Sequence, residues 1–245
     1  MTNENPRLNK YIALSGLCSR RKADELILAG IVKINGIIVK DLSTTVSKKD
    51  KVAVDGKIIS PQREFTYIKY YKPAGYITTK SDDKNRKTIY DILPEEVQKL
   101  KPVGRLDKDS TGLLIMTDDG DLINKMTHPS VKIPKVYRVC VEGKVTNNNL
   151  LTLSKGIEIE KGKMAYADAQ IIEFEDKNTV LNIVLYQGMN RQIRKMAEFI
   201  GHPVISLKRI QHGTIDLSGL KRGAFKYLKP NQIKDLKNYL KSLSK

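Results

Sequence analysis

The chain has 245 residues, of which 40% are hydrophobic and 29% are charged. These proportions are ordinary for a folded protein and exclude wholesale disorder, while the length allows one or two domains. No apolar run approaches the roughly 20 residues that a transmembrane helix requires, and the N-terminal segment lacks the apolar core of a signal peptide. We therefore expect neither a membrane span nor a secretory leader.

The positive charge is concentrated at the two ends of the sequence. The formal net charge is +17, and it divides into +5 for residues 1–60, +2 for residues 61–184 and +10 for residues 185–245. Basic ends around a nearly neutral middle favour a polyanionic partner, with nucleic acid as the first expectation. Charge alone is a weak signal, because anionic membranes and general solubility also select for it.

Cysteine and histidine usage points to no disulfide framework and no metal site. Cys18 and Cys140 lie far apart, which predicts small core thiols in a reducing compartment, with the cytoplasm as the expected location. His128, His202 and His212 lack the spacing of metal ligands. We therefore expect no metal.

The first elements in chain order form a small module. Residues 7–16 carry a helical pattern that ends at a glycine, and Ser19 can cap a second helix that ends at Gly30. Two alternating strand runs then surround Asn35-Gly36, a strong hairpin signal, and the same device recurs at Asp55-Gly56. Two short helices followed by small strands are predicted for this module.

Three cations gather at the start of the second helix of this module, residues 1–60. Arg20, Arg21 and Lys22 oppose the helix macrodipole there, so a nearby phosphate is a reasonable explanation for them. The alternative is a solvated first turn. We predict RNA contact for these side chains.

A short linker at residues 61–64 leads into a second domain, residues 65–245, that is rich in strand patterns. Alternating or continuously apolar runs occur in "FTYIKYYK", "GLLIMTDDG", "KVYRVCVEG", "AQIIEFED", "TVLNIVLYQG" and "HPVISLKRIQHG". Many strands with few intervening helices predict an α+β fold with a large, mainly antiparallel sheet.

Helical patterns interrupt this series at three places. "TIYDILPEEV" predicts a turn leading to a short helix, and Asp121 can cap "DLINKM". "NRQIRKMAEFIG" places Ile193, Met196, Ala197 and Ile200 on one helical face. The "DDGD" run that includes Asp121 lacks the downstream ligands of a calcium loop, so a turn and a cap are favoured.

Asp107 stands out because it precedes a run that ought to be buried. It lies two residues after Arg105, shortly before the apolar residues 113–116. No phosphate-binding glycine loop is present, and no second carboxylate is marked out for paired acid–base work. The chemistry-bearing residues that remain are Arg105, Asp107, Tyr137 in "KVYRV" and the arginines of "NRQIR".

Three segments in order carry a family resemblance. "GRLDKDSTGLLIMTDDGDL", "KVYRV" and "GMNRQIRKMAEFIGHPVISLKRI" together resemble the core motifs of the RsuA-type ribosomal RNA pseudouridine synthases. The N-terminal module resembles the S-four-type (alpha-L) RNA-binding domain that commonly precedes their catalytic domain, and "KPAGYITT" resembles the lysine-proline-glycine segment of the family's first strand. The resemblance covers residues 7–230.

The resemblance implies roles for individual residues. Asp107 would be the essential catalytic carboxylate, Tyr137 the active-site tyrosine, and Arg194 the basic partner that faces Asp107 and keeps it ionised. Arg105 would lie on the RNA side of the pocket. Structural alternatives remain for each: a buried salt-bridge aspartate, a core tyrosine, or a solvated helix arginine. RNA contacts are also predicted for Arg191, whose alternative is solvent, and for Lys208 and Arg209, as contacts to the RNA backbone.

The implied reaction is isomerisation of uridine to pseudouridine in ribosomal RNA. It needs no redox step and no external energy, so no cofactor is expected, and the uridine must be flipped out of its stack to reach the carboxylate. "GMNRQIRKM" favours the large-subunit branch. We expect a monomer. The alternatives are a non-catalytic ribosome-associated RNA-binding or assembly factor, and small-subunit rRNA or tRNA as substrate.

Overall fold

The computed structural model describes residues 5–61 and 64–243. The chain divides into two compact units, Met1–Phe65 and Thr66–Lys245. The linker predicted at residues 61–64 falls partly outside the described residues, since 62 and 63 are not among them. The predicted domain limits, 1–60 and 65–245, remain a prediction.

The first unit has the predicted order of helices and hairpins. Its described elements are α1 (Leu8–Leu14), α2 (Arg20–Leu28), β1 (Val32–Ile34), β2 (Ile37–Ile38), β3 (Val52–Val54) and β4 (Lys57–Ile59). The strands form an antiparallel sheet in the order β2-β1-β3-β4. The Ser19 side chain accepts a hydrogen bond from the Lys22 amide at 3.2 Å, so the predicted cap of α2 is confirmed.

Both predicted hairpin turns are present and have the expected backbone. Asn35 and Asp55 adopt φ of 51° and 48°, and the glycine after each is also left-handed. Two successive residues with positive φ match the right-handed twist of the flanking strands. The sheet and the two helices enclose a core of buried aliphatic side chains: Leu8, Ile12, Ala23, Ile27, Val32, Val46, Val52 and Val54.

The second unit is built on one large sheet. Its described strands and helices are β5 (Tyr67–Lys72), β6 (Lys101–Pro102), β7 (Thr111–Thr117), α3 (Gly120–Thr127), β8 (Lys135–Glu142), α4 (Asn147–Lys155), β9 (Ile157–Glu160), β10 (Lys163–Ala165), β11 (Asp168–Glu175), β12 (Asn178–Leu185), α5 (Gln192–Phe199), β13 (Val204–His212), β14 (Ile215–Asp216), β15 (Phe225–Tyr227) and α6 (Pro230–Ser242). The short helix predicted near residues 88–97 is instead two single 3₁₀ turns, Ile89–Asp91 and Glu95–Val97.

The strand order of the large sheet is β11-β12-β8-β13-β7-β5-β15, with β14 paired to β13 and β6 to β7. Its pairs are antiparallel within the described residues, except for β13 and β7, which run parallel with Arg209 opposite Gly112. Gly112 has φ of 106°, and a Cβ there would collide with the backbone of Arg209. The predicted α+β fold with a mainly antiparallel sheet is confirmed.

The helices cover the sheet with apolar faces. The α5 residues Ile193, Met196 and Ala197 are buried as predicted, in a cluster that includes strand residues of β8 and β12. The cap of α3 differs from prediction, because Asp119 rather than Asp121 accepts the hydrogen bond of the Leu122 amide at 3.0 Å. No helix within residues 5–61 and 64–243 combines the length and apolarity needed to cross a membrane.

Candidate active site

Asp107 lies in an open cleft of about 930 Å³ in the second unit. It belongs to the segment 103–110, here called the aspartate loop, which connects β6 to β7 and places Asp107 half-buried in the cleft wall. The cleft is lined further by the start of β8, the end of β12, the middle of β13 and the start of α5. The arrangement presents a carboxylate on the loop that enters β7, a central strand of the sheet.

Lys72, the last residue of β5, holds the aspartate loop through its backbone. The side chain is fully buried, and its Nζ donates to the carbonyls of Ser110 at 2.9 Å, Pro73 and Asp107 at 3.0 Å, and Lys108 at 3.4 Å. Charge-assisted hydrogen bonds are stronger than neutral ones, so one ammonium fixes three carbonyls of the loop at once. The position of Asp107 is therefore set before any substrate binds.

The electrostatics of Lys72 link it to the acidic residues of the same loop. Burial lowers the pKa of Lys72 to about 8, the carboxylates of Asp107 and Asp109 oppose this shift, and the Arg209 guanidinium adds to it. The attraction of the Asp107 and Asp109 carboxylates favours the charged form of Lys72. Lys72 is thus a buried cation that is electrostatically coupled to the carboxylate.

A second clamp acts on the other side of the loop. Thr78 is buried, and its hydroxyl both donates to the Leu106 carbonyl at 2.8 Å and accepts from the Leu106 amide at 3.2 Å. Within the loop, the Ser110 amide donates to the Asp107 carbonyl at 3.1 Å. The backbone on both sides of Asp107 is therefore held by fixed side chains.

Tyr137 and Arg209 lie opposite each other in β8 and β13 and line the cleft with Asp107. Tyr137 is only 8% exposed, so a small part of its surface reaches the cleft. Arg209 is 2% exposed and its Nε donates to the Leu113 carbonyl at 2.7 Å. The predicted RNA contact of Arg209 is therefore wrong for this conformation: the guanidinium is part of the protein interior. Lys208 is half-buried and does not line the cleft.

Arg194 does not form the predicted ion pair. Its Nη1 and Nη2 lie 3.5 Å from the carbonyls of Val204 and Asp109, and its buried Nε has no acceptor among the described residues. The guanidinium therefore contacts the backbone of the aspartate loop. Among the ion pairs of the described residues, none joins Arg194 to the Asp107 carboxylate.

Two exposed arginines lie at the cleft. Arg105 has neither a hydrogen bond nor an ion pair with another described residue, so its charge is available to a ligand. Arg191 caps α5 in a left-handed conformation with φ of 50°, and its Nη1 lies 3.7 Å from the Asp109 carboxylate. Because both partners of that pair are exposed, it is weak and can be exchanged for a phosphate.

The cations predicted to contact RNA in the first unit are exposed at the start of α2. Arg20 donates to the Asn9 side chain at 3.3 Å, and Lys22 pairs with Glu25 at 2.7 Å. Arg21 has no such partner among the described residues. These contacts leave each side chain on the surface.

Several residues that shape the site carry no motif signal of their own. Lys135 lines the cleft, and burial together with the Arg209 charge lowers its pKa to about 8. His212 is fully buried with its pKa lowered well below the usual range, so it adds no charge beside Arg209. Lys72 could have been predicted as a buried lysine, because it stands at the end of a strand directly before a proline.

Comparisons with known proteins identify the families that the two units match. Residues 66–199 match the family model described as RNA pseudouridylate synthase, and residues 6–52 match the S4 domain. The chain is 40% identical over 233 residues to ribosomal large subunit pseudouridine synthase B of Bacillus subtilis, covering 94% of this chain and 95% of the relative. It is 41% identical to an uncharacterised RNA pseudouridine synthase of Aquifex aeolicus, covering 94% of this chain and 93% of that one.

A solved structure supports the same conclusion. The chain resembles the crystal structure of a pseudouridylate synthase with a TM-score of 0.66 and 30% identity, covering 94% of this chain and 99% of the other. With the fold, the family matches and the identity all in agreement, the chain belongs to the RNA pseudouridine synthase family and is an enzyme of that class, with an S4 domain at its N-terminal end.

Proposed function

We propose that the protein isomerises a uridine to pseudouridine in the RNA of the large ribosomal subunit, with Asp107 as the catalytic carboxylate. The observation that carries this proposal is Asp107 itself, which lies in an open cleft on a loop clamped by Lys72 and Thr78. The large-subunit assignment follows the Bacillus subtilis relative, a ribosomal large subunit pseudouridine synthase.

The reaction needs a group that can act on the sugar of the target nucleotide. The bond between N1 of uracil and C1′ of ribose breaks, the base turns, and a new bond joins C5 to C1′. The proton on C5 leaves and N1 gains one, so the product is an isomer and electrons balance without an oxidant. An ionised Asp107 can attack C1′, stabilise its developing positive charge, or remove a sugar proton, and these three routes stay open.

Tyr137 and Arg194 support the carboxylate in different ways. Tyr137 offers an aromatic surface to the uracil and a phenol that can exchange a proton, so we assign it a catalytic role. We assign Arg194 as a positioning residue, because its guanidinium contacts the Asp109 carbonyl of the aspartate loop. This assignment replaces the direct ion pair with Asp107.

The exposed cations are proposed to bind the phosphates of the RNA. Arg105 and Arg191 lie at the cleft, and we propose that they contact the phosphates that flank the flipped uridine. Arg20, Arg21 and Lys22 are proposed to bind RNA through the first unit. Each phosphate contact releases counterions, so the affinity for RNA falls steeply as salt rises. We further propose that the protein acts as a monomer, which sedimentation of the purified chain tests.

Sequencing for pseudouridine provides the test. Ribosomal RNA from cells that lack the gene should lose one or more pseudouridines, and purified protein should restore them in vitro. Asp107→Asn should abolish restoration, while Asp235→Asn, an exposed change on α6, should restore them as the wild type does. If Asp107→Asn modifies RNA normally, Asp107 is not the catalytic group. Loss of a pseudouridine from small-subunit RNA or tRNA instead would redirect the substrate assignment.

A further inference from the structure

A second, smaller pocket of about 290 Å³ opens beside the cleft. It shares Lys132, Tyr186 and Gln187 with the cleft lining, so the two spaces adjoin. Its remaining lining residues are Tyr166, Ala167 and Asp168. The volume lies near the lower end of the roughly 300–1,000 Å³ that small-molecule sites occupy.

Two tyrosine rings line this pocket without being buried. Tyr166 is 47% exposed and Tyr186 is 44% exposed. The Tyr166 ring packs against the backbone of Gly156, where an added Cβ would lie 2.5 Å from the ring and where φ is 97°. One side of this ring is therefore fixed by the protein while the ring keeps exposed surface for a ligand.

A buried glutamine holds the two tyrosine segments together. Gln192, at the start of α5, donates from Nε2 to the Tyr166 carbonyl and to the Gln187 Oε1, both at 3.2 Å. The same Gln187 oxygen accepts the Tyr166 amide at 3.1 Å. Because Arg191, the N-cap residue of α5, lies at the cleft, the pocket and the cleft are both supported by the start of this helix.

The two charged side chains of the pocket have no partner among the described residues. Neither the Asp168 carboxylate nor the Lys132 ammonium forms a hydrogen bond or an ion pair there, although the Asp168 backbone pairs with Val184 in the sheet. An unpaired carboxylate repels phosphate and accepts N–H donors, such as the exocyclic amino group of a base. Lys132 lines both spaces and can take the phosphate that lies between them.

We infer that this pocket binds the base of a nucleotide adjacent to the target uridine. The base stacks on the exposed tyrosine rings, its exocyclic amino group donates to Asp168, and the connecting phosphate contacts Lys132. Aromatic stacking of bases is the usual mode of recognition in single-stranded RNA, and flipping the uridine exposes its neighbour to it. Uracil has no exocyclic amino group, and its N3–H lies between two carbonyl oxygens that would face and repel the carboxylate, so the pocket favours a neighbour other than uridine. This inference rests on the proposal that the substrate is RNA.

A binding experiment tests the pocket without requiring turnover. The chain contains no tryptophan, so Tyr186→Trp introduces a single fluorescent reporter into the pocket. The probes are short oligocytidylate and oligouridylate, whose bases differ at the group that Asp168 would read. Oligocytidylate should quench the reporter and bind about tenfold more tightly than oligouridylate, the value of one hydrogen bond to a charged group.

Two controls make this result specific. Tyr227→Trp places the reporter on another exposed tyrosine, in β15, and should show no comparable quenching. Asp168→Asn in the position-186 reporter background should remove the preference for cytidylate, because the amide also offers a donor to the uracil carbonyl. Equal affinity for the two probes, or equal quenching at positions 186 and 227, would overturn the inference.

An activity measurement separates this inference from the proposed function. Once sequencing identifies a modified uridine, an RNA fragment that carries an abasic site beside it should be modified at least about tenfold more slowly than the intact fragment, at subsaturating enzyme. Tyr186→Ala should remove this difference. If no rRNA uridine depends on the gene but the cytidylate preference holds, the substrate assignment fails and the pocket stands. If rRNA is modified but the abasic sites on either side have no effect, the pocket assignment fails alone.

Discussion

Replacing Lys72 with methionine should damage the active site more than the stability of the fold. The ammonium donates to the carbonyls of Ser110, Pro73 and Asp107 at 2.9–3.0 Å, and methionine would fill the space without donating to them. The Ser110 and Pro73 carbonyls would be left unpaired at about 1–3 kcal/mol each, whereas the Asp107 carbonyl would keep the Ser110 amide and lose one charge-assisted hydrogen bond worth about 1.5–3 kcal/mol. Removing a buried ammonium whose pKa is lowered from 10.5 to about 8 recovers about 3 kcal/mol. The net loss of unfolding free energy should therefore be a few kcal/mol, on the order of 3.

The effect on catalysis should be larger, because the same bonds fix the loop that carries Asp107. A displacement of the carboxylate by about 1 Å is enough to reduce the rate about 100-fold. We expect Lys72→Met to lower the single-turnover rate of pseudouridine formation by at least that factor. The rate is measured at a temperature at which circular dichroism shows that the variant is folded, and urea denaturation gives the change in unfolding free energy.

Lys69 offers a matched control on the same strand. It is also buried, and its Nζ donates to the carbonyls of Asp216 and Ser218 at 3.1 and 2.9 Å, away from the aspartate loop. Lys69→Met should destabilise the protein by a comparable amount and leave the rate of the folded enzyme unchanged. A folded Lys72→Met variant that works at the wild-type rate would refute the role assigned to Lys72. Equal losses of rate in both variants would show that the effect is general destabilisation.

Three further predictions follow from the same contacts. Thr78→Val removes a hydroxyl that makes two buried hydrogen bonds to the aspartate loop, and it should cost about 1–3 kcal/mol in urea denaturation and slow single-turnover modification; an unchanged rate would contradict the clamp. Gly112→Ala should abolish soluble expression or sharply lower the melting temperature, because the new Cβ collides with the Arg209 backbone at a positive φ, and a normal melting temperature would contradict the close strand approach. Between pH 8 and about 9.5, Lys72 and Lys135 have lost their protons in the folded chain and still hold them in the unfolded chain. The unfolding free energy should therefore rise with pH over this range, until tyrosine ionisation begins near pH 10. A flat or falling profile would contradict both pKa shifts.

Local features of the fold could be predicted from the sequence because their causes are local. The hairpin turns at residues 35–36 and 55–56 follow from Asn-Gly and Asp-Gly, which tolerate positive φ. The cap of α2 follows from a serine placed before a helical pattern. The cap of α3 was nevertheless assigned to Asp121 instead of Asp119. Both are aspartates of the same acidic run, and only the backbone conformation determines which one caps the helix.

The contacts that complete the site could not be predicted because they join distant parts of the chain. Lys72 contacts the aspartate loop 35 to 38 residues further on, and no periodicity indicates which carbonyls a lysine will meet. Arg194 was identified as a residue near the aspartate, and it does contact that loop, but through a carbonyl rather than a carboxylate. Arg209 was predicted to contact the RNA backbone, whereas its place in a central strand buries it.

The parallel pairing of β7 with β13 has a consequence for synthesis of the protein on the ribosome. The Arg209 side chain bonds to the Leu113 carbonyl across 96 residues of intervening chain, and this pairing closes one wall of the cleft. A loop of that size is slow to close, and a nascent chain that ends before β13 has no partner for that edge of β7. Asp107 is therefore synthesised well before β13, which completes the cleft around it. A partly synthesised chain could contact RNA through its N-terminal module, but it would acquire catalytic competence only near the end of translation.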